Sequence, residues 1–261
     1  MIDLHAHIIP GVDDGAKDLD LSLEMLRQAY DYGVTTVCAT PHLCGKVDPQ
    51  LGRKILCSFD LLKRRTSEDG IEIELILGSE IHIQQDLQGW ENYPFFTYDD
   101  NKKYLLLELP LGILPADLET VVFDLRMEGL VPIVAHPERN IVTDSHFLKM
   151  ERLRDLGALL QVNSGSLLGY GGKRLKKITE RLVRTGLATL VASDAHDQNT
   201  RSFRSLAGVL PEIERLLGKE AAFRLMYENP KRIIAGERME NDQCSLPAEE
   251  YTTHLSADTL R

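Results

Sequence analysis

One pattern recurs five times along the chain and limits what it can fold into: a helix-like stretch, then a glycine, then a short run rich in valine, isoleucine and leucine. Glycine takes the left-handed backbone conformation without a Cβ penalty, so it commonly follows the last residue of a helix. Each unit therefore predicts a helix that leads into a buried strand. The glycines concerned are Gly33, Gly70, Gly129, Gly157 and Gly186.

Two further apolar runs, residues 2–5 and 104–109, raise the number of predicted strands to seven. Near-continuous apolar strands that alternate with helices indicate parallel strands buried on both faces, and hence an α/β fold. Seven such units favour a barrel over an open sheet, although the pattern is compatible with both. The helices are predicted at residues 18–32, 50–67, 115–127, 144–155, 173–184 and 202–217, the first with Asp18 as its N-cap.

The periodic pattern ends near residue 240, so we expect residues 1–239 to form one domain and the polar residues 240–261 to form a flexible tail. The 40 acidic residues outnumber the 30 basic ones and give a net charge of −10, which argues against nucleic-acid binding. No apolar stretch reaches about 18 residues and no export signal precedes the first strand, so we expect no membrane insertion. Four cysteines without a CxxC pair predict reduced thiols and a cytoplasmic protein.

Residues of metal-ligand type follow nearly every predicted strand. In parallel α/β folds the C-terminal ends of the strands meet at one edge, which carries the chemistry. A single histidine there would most often be a hydrogen-bonded core or surface residue, but a convergent set predicts a metal site. Six of the seven strands end in such residues, which include five of the eight histidines in the chain: His5, His7, His42, Glu80, Glu108, His136, Asp194 and His196.

The opening His-x-His pair narrows the kind of site, because alternate residues of a strand point the same way and can reach one ion together. The ligand types are imidazole and carboxylate, with no cysteine at a strand end, which favours Mn, Fe or Zn in a catalytic site over a structural zinc. Bridging carboxylates would hold two or three ions about 3.5–4 Å apart. Such a cluster is suited to the hydrolysis of phosphate esters.

Six short motifs carry a family resemblance: DLHAH at residues 3–7, VDDGA at 12–16, TPH at 40–42, GSEI at 78–81, HPER at 136–139 and SDAH at 193–196. Together they resemble the polymerase-and-histidinol-phosphatase (PHP) family, and within it the CpsB/CapC/YwqE-type protein-tyrosine phosphatases of bacteria. The resemblance extends from residue 1 to about residue 236. It implies a distorted, TIM-like (β/α)7 barrel of the PHP type, with a trinuclear metal site that holds Mn²⁺ in several members and other divalent ions in others.

The resemblance also implies roles for individual residues. His5, His7, Glu80 and Asp194 would hold one metal, Glu80, Glu108 and His136 a second, and His42, His196 and Asp13 a third. Arg139 and Arg201 match positions at which the phosphatases hold phosphate, although each could instead be a surface charge or a carboxylate partner. His42 and His196 are candidate general acids only if the metal does not occupy them, and tyrosinate is a leaving group that needs no strong acid.

The same resemblance implies a phosphotyrosine protein as substrate, in particular a bacterial tyrosine kinase that controls capsule or exopolysaccharide synthesis. Some relatives form ring-like homo-oligomers through their early helices. The predicted helix at residues 18–32 and the aromatic segment at residues 90–98 could form a partner or substrate surface. For the aromatic segment, local packing beneath a long loop is the commoner role.

Three other functions were weighed. Thiolate catalysis would need an arginine six positions after a cysteine, and the residues six positions after Cys38, Cys44, Cys57 and Cys244 are Cys44, Gln50, Lys63 and Glu250. A phosphatase for histidinol phosphate or another small molecule would use the same metal site. A non-catalytic, metal-binding regulator of a kinase would be expected to lack a ligand, and none is obviously missing.

Overall fold

The computed structural model describes residues 1–46, 48–83 and 89–239, and within these ranges every strand runs parallel to the strands that it pairs with. The order is β1–β2–β4 in one sheet and β3–β5–β6–β7–β8–β9 in the other. This confirms the parallel α/β fold. The strands are β1 (Ile2–Ala6), β2 (Thr36–Ala39), β3 (His42–Leu43), β4 (Glu74–Leu77), β5 (Glu80–His82), β6 (Tyr104–Glu108), β7 (Val131–Ala135), β8 (Leu159–Asn163) and β9 (Leu190–Ala192).

The nine strands correspond to the seven predicted ones, because two predicted strands are interrupted. One break lies at Thr40 and Pro41, between β2 and β3, and the other at Gly78 and Ser79, between β4 and β5. Proline has no backbone N–H to donate to a ladder, which accounts for the first break. Backbone hydrogen bonds from Gly78 N to Ala39 O, 2.9 Å, and from Glu80 N to Pro41 O, 3.0 Å, continue the pairing past both breaks.

Backbone contacts also connect the first strand with the segment after the last one. Asp194 N donates to His5 O at 2.9 Å, and His7 N donates to Ala195 O at 2.8 Å. These bonds bring residues of β1 beside the loop that follows β9. They agree with a closed seven-unit barrel, which stays a prediction.

The predicted helices are all present within the described ranges. Asp18 caps the first, since its carboxylate accepts a hydrogen bond from Leu21 N. Three short α-helices, three 3₁₀ turns and a π-helical turn at Arg224–Glu228 lie outside the predicted helices. The helices are α1 (Leu19–Asp31), α2 (Pro49–Glu68), α3 (Leu118–Met127), α4 (Asp144–Asp155), α5 (Ser164–Leu168), α6 (Lys173–Arg184), α7 (Arg204–Leu217), α8 (Lys219–Phe223) and α9 (Asn229–Ile234).

The five glycines of the repeated unit all have positive φ, between 67° and 92°, as the prediction of helix ends requires. The aromatic segment at residues 90–98 packs inward, because Trp90, Phe95 and Tyr98 are at most 1% exposed. The packing role is thus confirmed for these three side chains. The predicted tail at residues 240–261 lies outside the described residues. In the described part of the chain, every helix is too short or too polar to cross a bilayer.

Candidate metal centre

The C-terminal ends of the strands bring the predicted imidazoles and carboxylates into one cluster. Glu80, the first residue of β5, lies at its centre and is 1% exposed. Its Oε2 lies 3.1 Å from His5 Nε2, 3.2 Å from His7 Nε2 and 3.2 Å from His42 Nδ1. Its Oε1 lies 2.9 Å from His136 Nε2. One carboxylate with imidazoles on both oxygens has the arrangement of a bridge between two ions.

Three groups within the cluster have donor atoms close enough to share an ion. His5, His7 and Glu80 form the first, and His42, Glu80 and Glu108 form the second. The third group consists of His7, Asp14, His42 and His196, in which Asp14 Oδ1 lies 3.4 Å from both His42 Nε2 and His196 Nε2. The first two groups share Glu80, and the third shares a histidine with each.

Asp13 lies behind this cluster. Its Oδ2 accepts a hydrogen bond from His7 Nδ1 at 2.8 Å and from the backbone N of His42 at 3.2 Å, while its Oδ1 accepts from Gly15 N at 3.0 Å. Asp13 therefore orients His7, whose Nε2 faces Glu80. The carboxylate that faces His42 and His196 belongs to the neighbouring Asp14, so the geometry does not agree with the prediction that Asp13 is a ligand.

Asp194 forms the wall of the cluster on the side of the two predicted phosphate-binding arginines. Its Oδ1 lies 3.5 Å from His5 Nε2 and 3.7 Å from His7 Nε2. Arg139 Nη2 donates to Oδ2 at 2.7 Å, and Arg201 Nη2 donates to Oδ1 and Oδ2 at 2.8 and 2.9 Å. Both guanidinium groups are thus held within reach of the centre through one carboxylate.

Two residues of the cluster have a strained backbone. His136 has φ of 32° and Asp194 has φ of 56°, in the left-handed region that side chains with a Cβ seldom occupy. Such a conformation costs on the order of 1–3 kcal/mol and persists only where the surrounding structure enforces it. The strain indicates that the position of these two side chains is imposed by the tertiary structure.

The electrostatics of the cluster favour a cation. Burial opposes a charge on Glu80, but the neighbouring imidazoles of His5, His136 and His7 hold the pKa of its carboxyl well below the usual range. Burial likewise opposes a charge on His7, yet its hydrogen bonds to Asp13 and Glu80 raise the pKa of the imidazole to about 10. Because these carboxylates stabilise positive charge on an imidazole, they would also stabilise a divalent ion.

His42 and His196, the other two histidines of the third group, behave differently. Burial and the charge of His7 lower the pKa of His196 to about 3, and burial lowers the pKa of His42. One ring nitrogen of each histidine, Nε2 of His196 and Nδ1 of His42, is buried and forms no hydrogen bond. A neutral, buried ring nitrogen that lacks a partner fits a metal ligand, because an ion would supply that partner. The described residues therefore fit the metal site that the sequence predicts.

A cavity of about 190 Å³ opens beside Asp194. Its lining residues include the two arginines, Arg139 and Arg201, and also Tyr170 and Leu175. The Tyr170 side chain is 63% exposed. An anionic group in this cavity would meet both guanidiniums, and an aromatic ring attached to it would meet apolar surface.

The cysteines take no part in this site among the described residues. Cys38 lies in β2 with no exposure, and burial raises the pKa of its thiol well above the usual value. The metal-ligand groups contain only histidine, aspartate and glutamate. Cys38 is therefore a buried strand residue.

Sequence reasoning missed Asp14, Gln161 and Asn163. Asp14 is adjacent to Asp13, the residue that the sequence predicted as a ligand. Only the conformation of the turn decides which of the two carboxylates faces His42 and His196. Gln161 and Asn163 lie on β8, the one predicted strand to which no ligand was assigned. Their polar side chains at the end of a buried strand were the available signal.

The parallel α/β fold and the buried cluster of imidazoles and carboxylates at its strand ends place the chain among α/β proteins with a hydrolase-type metal centre. Comparison with known proteins gives the particular family. The family model for capsular polysaccharide synthesis, CpsB/CapC, matches residues 1–235. The chain belongs to the CpsB/CapC family, which confirms the resemblance found in its motifs.

Individual relatives of the chain can be aligned with it over nearly its whole length. The tyrosine-protein phosphatase YwqE of Bacillus subtilis is 35% identical over 238 residues, which make up 91% of this chain and 92% of that protein. CapC of Staphylococcus aureus is 30% identical over 260 residues, 96% of each chain. A crystal structure from a study of YwqE and of CpsB from Streptococcus pneumoniae, described as unique metal-dependent tyrosine phosphatases, has a TM-score of 0.82 and 34% identity, and covers 92% of this chain and 96% of its own.

Proposed function

We propose that the protein is a metal-dependent phosphatase that hydrolyses phosphotyrosine on proteins. The observation that carries the proposal is the joint placement of two guanidiniums and a carboxylate–imidazole cluster around Asp194. The guanidiniums can bind a phosphoryl group, and the cluster can hold the ions that activate water. Relatives named as tyrosine phosphatases over nine-tenths of the chain support the phosphotyrosine substrate.

The ligand sets that we propose are those implied by the family resemblance, with one change. His5, His7, Glu80 and Asp194 would hold one ion, Glu80, Glu108 and His136 a second, and His42 and His196 a third. Asp14 replaces Asp13 in the third set, because its Oδ1 lies 3.4 Å from each of the two histidines. Mn²⁺ is the ion that we propose, in two or three copies, and the donor set also accommodates Fe or Zn.

Bound ions would supply a hydroxide for attack on phosphorus and neutralise the phosphoryl oxygens. Arg139 and Arg201 are partly exposed in the cavity, and their planar guanidinium groups match the oxygens of a phosphoryl group. They would stabilise the charge that develops on those oxygens in the transition state. His42 and His196 are better assigned as ligands than as general acids, because both lie in one donor group with His7 and Asp14.

The cavity also suits the rest of a phosphotyrosine side chain. Tyr170 and Leu175 also line the cavity, so the substrate ring would pack against them while the phosphoryl group meets the arginines. The proposed physiological substrate is the phosphorylated tail of a bacterial tyrosine kinase of capsule or exopolysaccharide synthesis. Action in the cytoplasm, a possible homo-oligomer and a catalytic domain at residues 1–239 belong to the same proposal.

The test is phosphate release by chelator-treated protein after Mn²⁺ is restored, measured on a phosphotyrosine peptide, a phosphoserine peptide and histidinol phosphate at equal concentration. We expect activity only with metal and a preference for phosphotyrosine. Preference for histidinol phosphate would keep the metal site but reject the substrate. Activity that survives chelation but is lost on thiol alkylation would reject the mechanism, with the metal-restored sample after alkylation as the control.

A further inference from the structure

A chain of three buried hydrogen bonds joins His5 to Asp194 through two amides of β8. His5 Nδ1 lies 2.8 Å from Gln161 Oε1, Gln161 Nε2 donates to Asn163 Oδ1 at 2.7 Å, and Asn163 Nδ2 donates to Asp194 Oδ2 at 2.7 Å. All four residues are at most 4% exposed. Gln161 and Asn163 alternate on the strand, so their side chains share the face that looks toward the centre.

The direction of this chain follows from Asp194, whose ionised carboxylate can only accept. Asn163 must therefore present its NH₂ group to Asp194, which leaves its Oδ1 for Gln161. Gln161 must then present its own NH₂ group to Asn163, which leaves its Oε1 for His5. Because that oxygen can only accept, Nδ1 of His5 must carry a proton, and the nitrogen free of this bond is Nε2.

Nε2 is the His5 atom that faces the cluster, 3.1 Å from Glu80 Oε2 and 3.2 Å from His7 Nε2. We propose that Gln161 and Asn163 are positioning residues that keep the His5 proton on Nδ1 and hold the Asp194 carboxylate in place, so that both present ligand atoms to the same ion. This rests on the proposed function, which makes His5 and Asp194 ligands of one metal.

The series of hydrogen bonds from His5 to Asp194 is also anchored on β8 by a backbone contact of Asn163. Asn163 N donates to Glu138 Oε1 at 2.9 Å, and Glu138 is 1% exposed. Glu138 belongs to the same short turn as Arg139, which donates to the Asp194 carboxylate. Glu138 therefore links the backbone of Asn163 to the turn that carries Arg139, and the side chains of Asn163 and Arg139 both donate to Asp194 Oδ2.

The test compares Gln161→Leu, Asn163→Leu and the double variant for Mn²⁺ affinity, measured by calorimetric titration of the chelator-treated protein. Loss of an outer hydrogen-bond partner of a metal ligand typically lowers affinity by about 10–100-fold, and we expect that range for each single variant. The double variant is expected to lose about as much as the weaker-binding single variant, because both break one chain. The proposal would be overturned if the affinity losses of the two single variants multiplied in the double variant. It would also be overturned if the variants bound Mn²⁺ within about twofold of the wild-type affinity.

Asn101→Ala is the matched control. Asn101 precedes β6 at the opposite edge, where its side chain bonds to Ile233 O at 2.8 Å and accepts from Lys103 N and Tyr104 N. It should lower the melting temperature and leave Mn²⁺ affinity unchanged. If Asn101→Ala lost as much Mn²⁺ affinity as the Gln161 and Asn163 variants, the loss would reflect lower general stability. That result would contradict the proposed role of Gln161 and Asn163.

Nitrogen-15 NMR of the metal-free protein separates this proposal from the proposed function. In the wild type, Nδ1 of His5 should show the shift of a protonated ring nitrogen that is hydrogen-bonded to Gln161 Oε1, and Gln161→Leu should change that shift by removing the bond. A bare Nδ1 in the wild type would refute the hydrogen-bond chain even if Mn²⁺ binds. Failure of the wild type to bind Mn²⁺, with a protonated Nδ1, would reject the metal site and leave the hydrogen-bond chain intact.

Discussion

Replacement of Gly15 by alanine tests how the turn after β1 supports the candidate centre. Gly15 lies against the backbone of His7, and Ala16 N donates to His7 O at 3.0 Å. A Cβ added at Gly15 would lie 2.1 Å from His7 O and 2.4 Å from His7 Cβ, whereas real Cβ contacts essentially never fall below 3.0 Å. The turn and His7 must therefore separate by about 0.9 Å.

The size of the effect follows from what has to move. Overpacking costs typically about 1–3 kcal/mol, and the upper end applies here because the obstructing atoms include the backbone of the fully buried His7. For a domain of this size, about 3 kcal/mol corresponds to a fall in melting temperature of roughly 6–12 °C. The same movement displaces His7 Nε2 from Glu80 and strains the Asp13 bond, so we expect Mn²⁺ affinity to fall by at least about 10-fold.

Thermal unfolding and Mn²⁺ titration of Gly15→Ala measure the two effects. Gly208→Ala is the control, because Gly208 is inside α7 and its nearest foreign atom would be Leu168 Cδ1 at an ordinary 3.4 Å. Alanine there should leave stability unchanged or raise it by about 1 kcal/mol. A Gly15→Ala protein with the wild-type melting temperature and wild-type Mn²⁺ affinity would refute the account of this turn.

The other predictions concern single residues of the site. His136→Ala should lower turnover by at least about 100-fold with a folded far-UV spectrum, since the side chain belongs to the catalytic edge, and near-wild-type turnover would contradict its ligand role. Arg139→Ala should lower turnover by about 10²–10³-fold while metal analysis finds the full complement of ions; a lost ion would show that Arg139 supports the metal instead. Asp14→Ala should release one ion from a protein analysed by mass spectrometry, whereas Asp13→Asn should keep the count and weaken affinity, and the reverse pattern would restore Asp13 as the ligand.

Much of the candidate site was predictable because its signals are local or periodic. A ligand-type residue at the end of an apolar run can be read without knowing the fold, since parallel strands bring their C-terminal ends to one edge. His5, Glu80 and Asp194 were located in this way. The unpredicted helices after α7 are only five or six residues long, and such short segments carry little periodicity.

Two features of the site could not be found without the tertiary structure. Asp13 and Asp14 have the same chemistry. Their contacts differ because the turn places the two carboxylates differently relative to His42, which lies on β3. The amides of Gln161 and Asn163 gain their direction only from contact with Asp194, which lies 31 residues beyond Asn163.

The sequence by itself determined the parallel α/β architecture, the ends of its main helices and the chemistry of the site, because hydrophobic periodicity, glycine at helix ends and the ligand preferences of metal ions are properties of short segments. The tertiary structure alone decided which carboxylate faces the cluster, where two strands break, and which amides contact His5 and Asp194. The physical reason is that a ligand must be placed to within about 0.5 Å, and such placement depends on packing between segments that are distant in the chain.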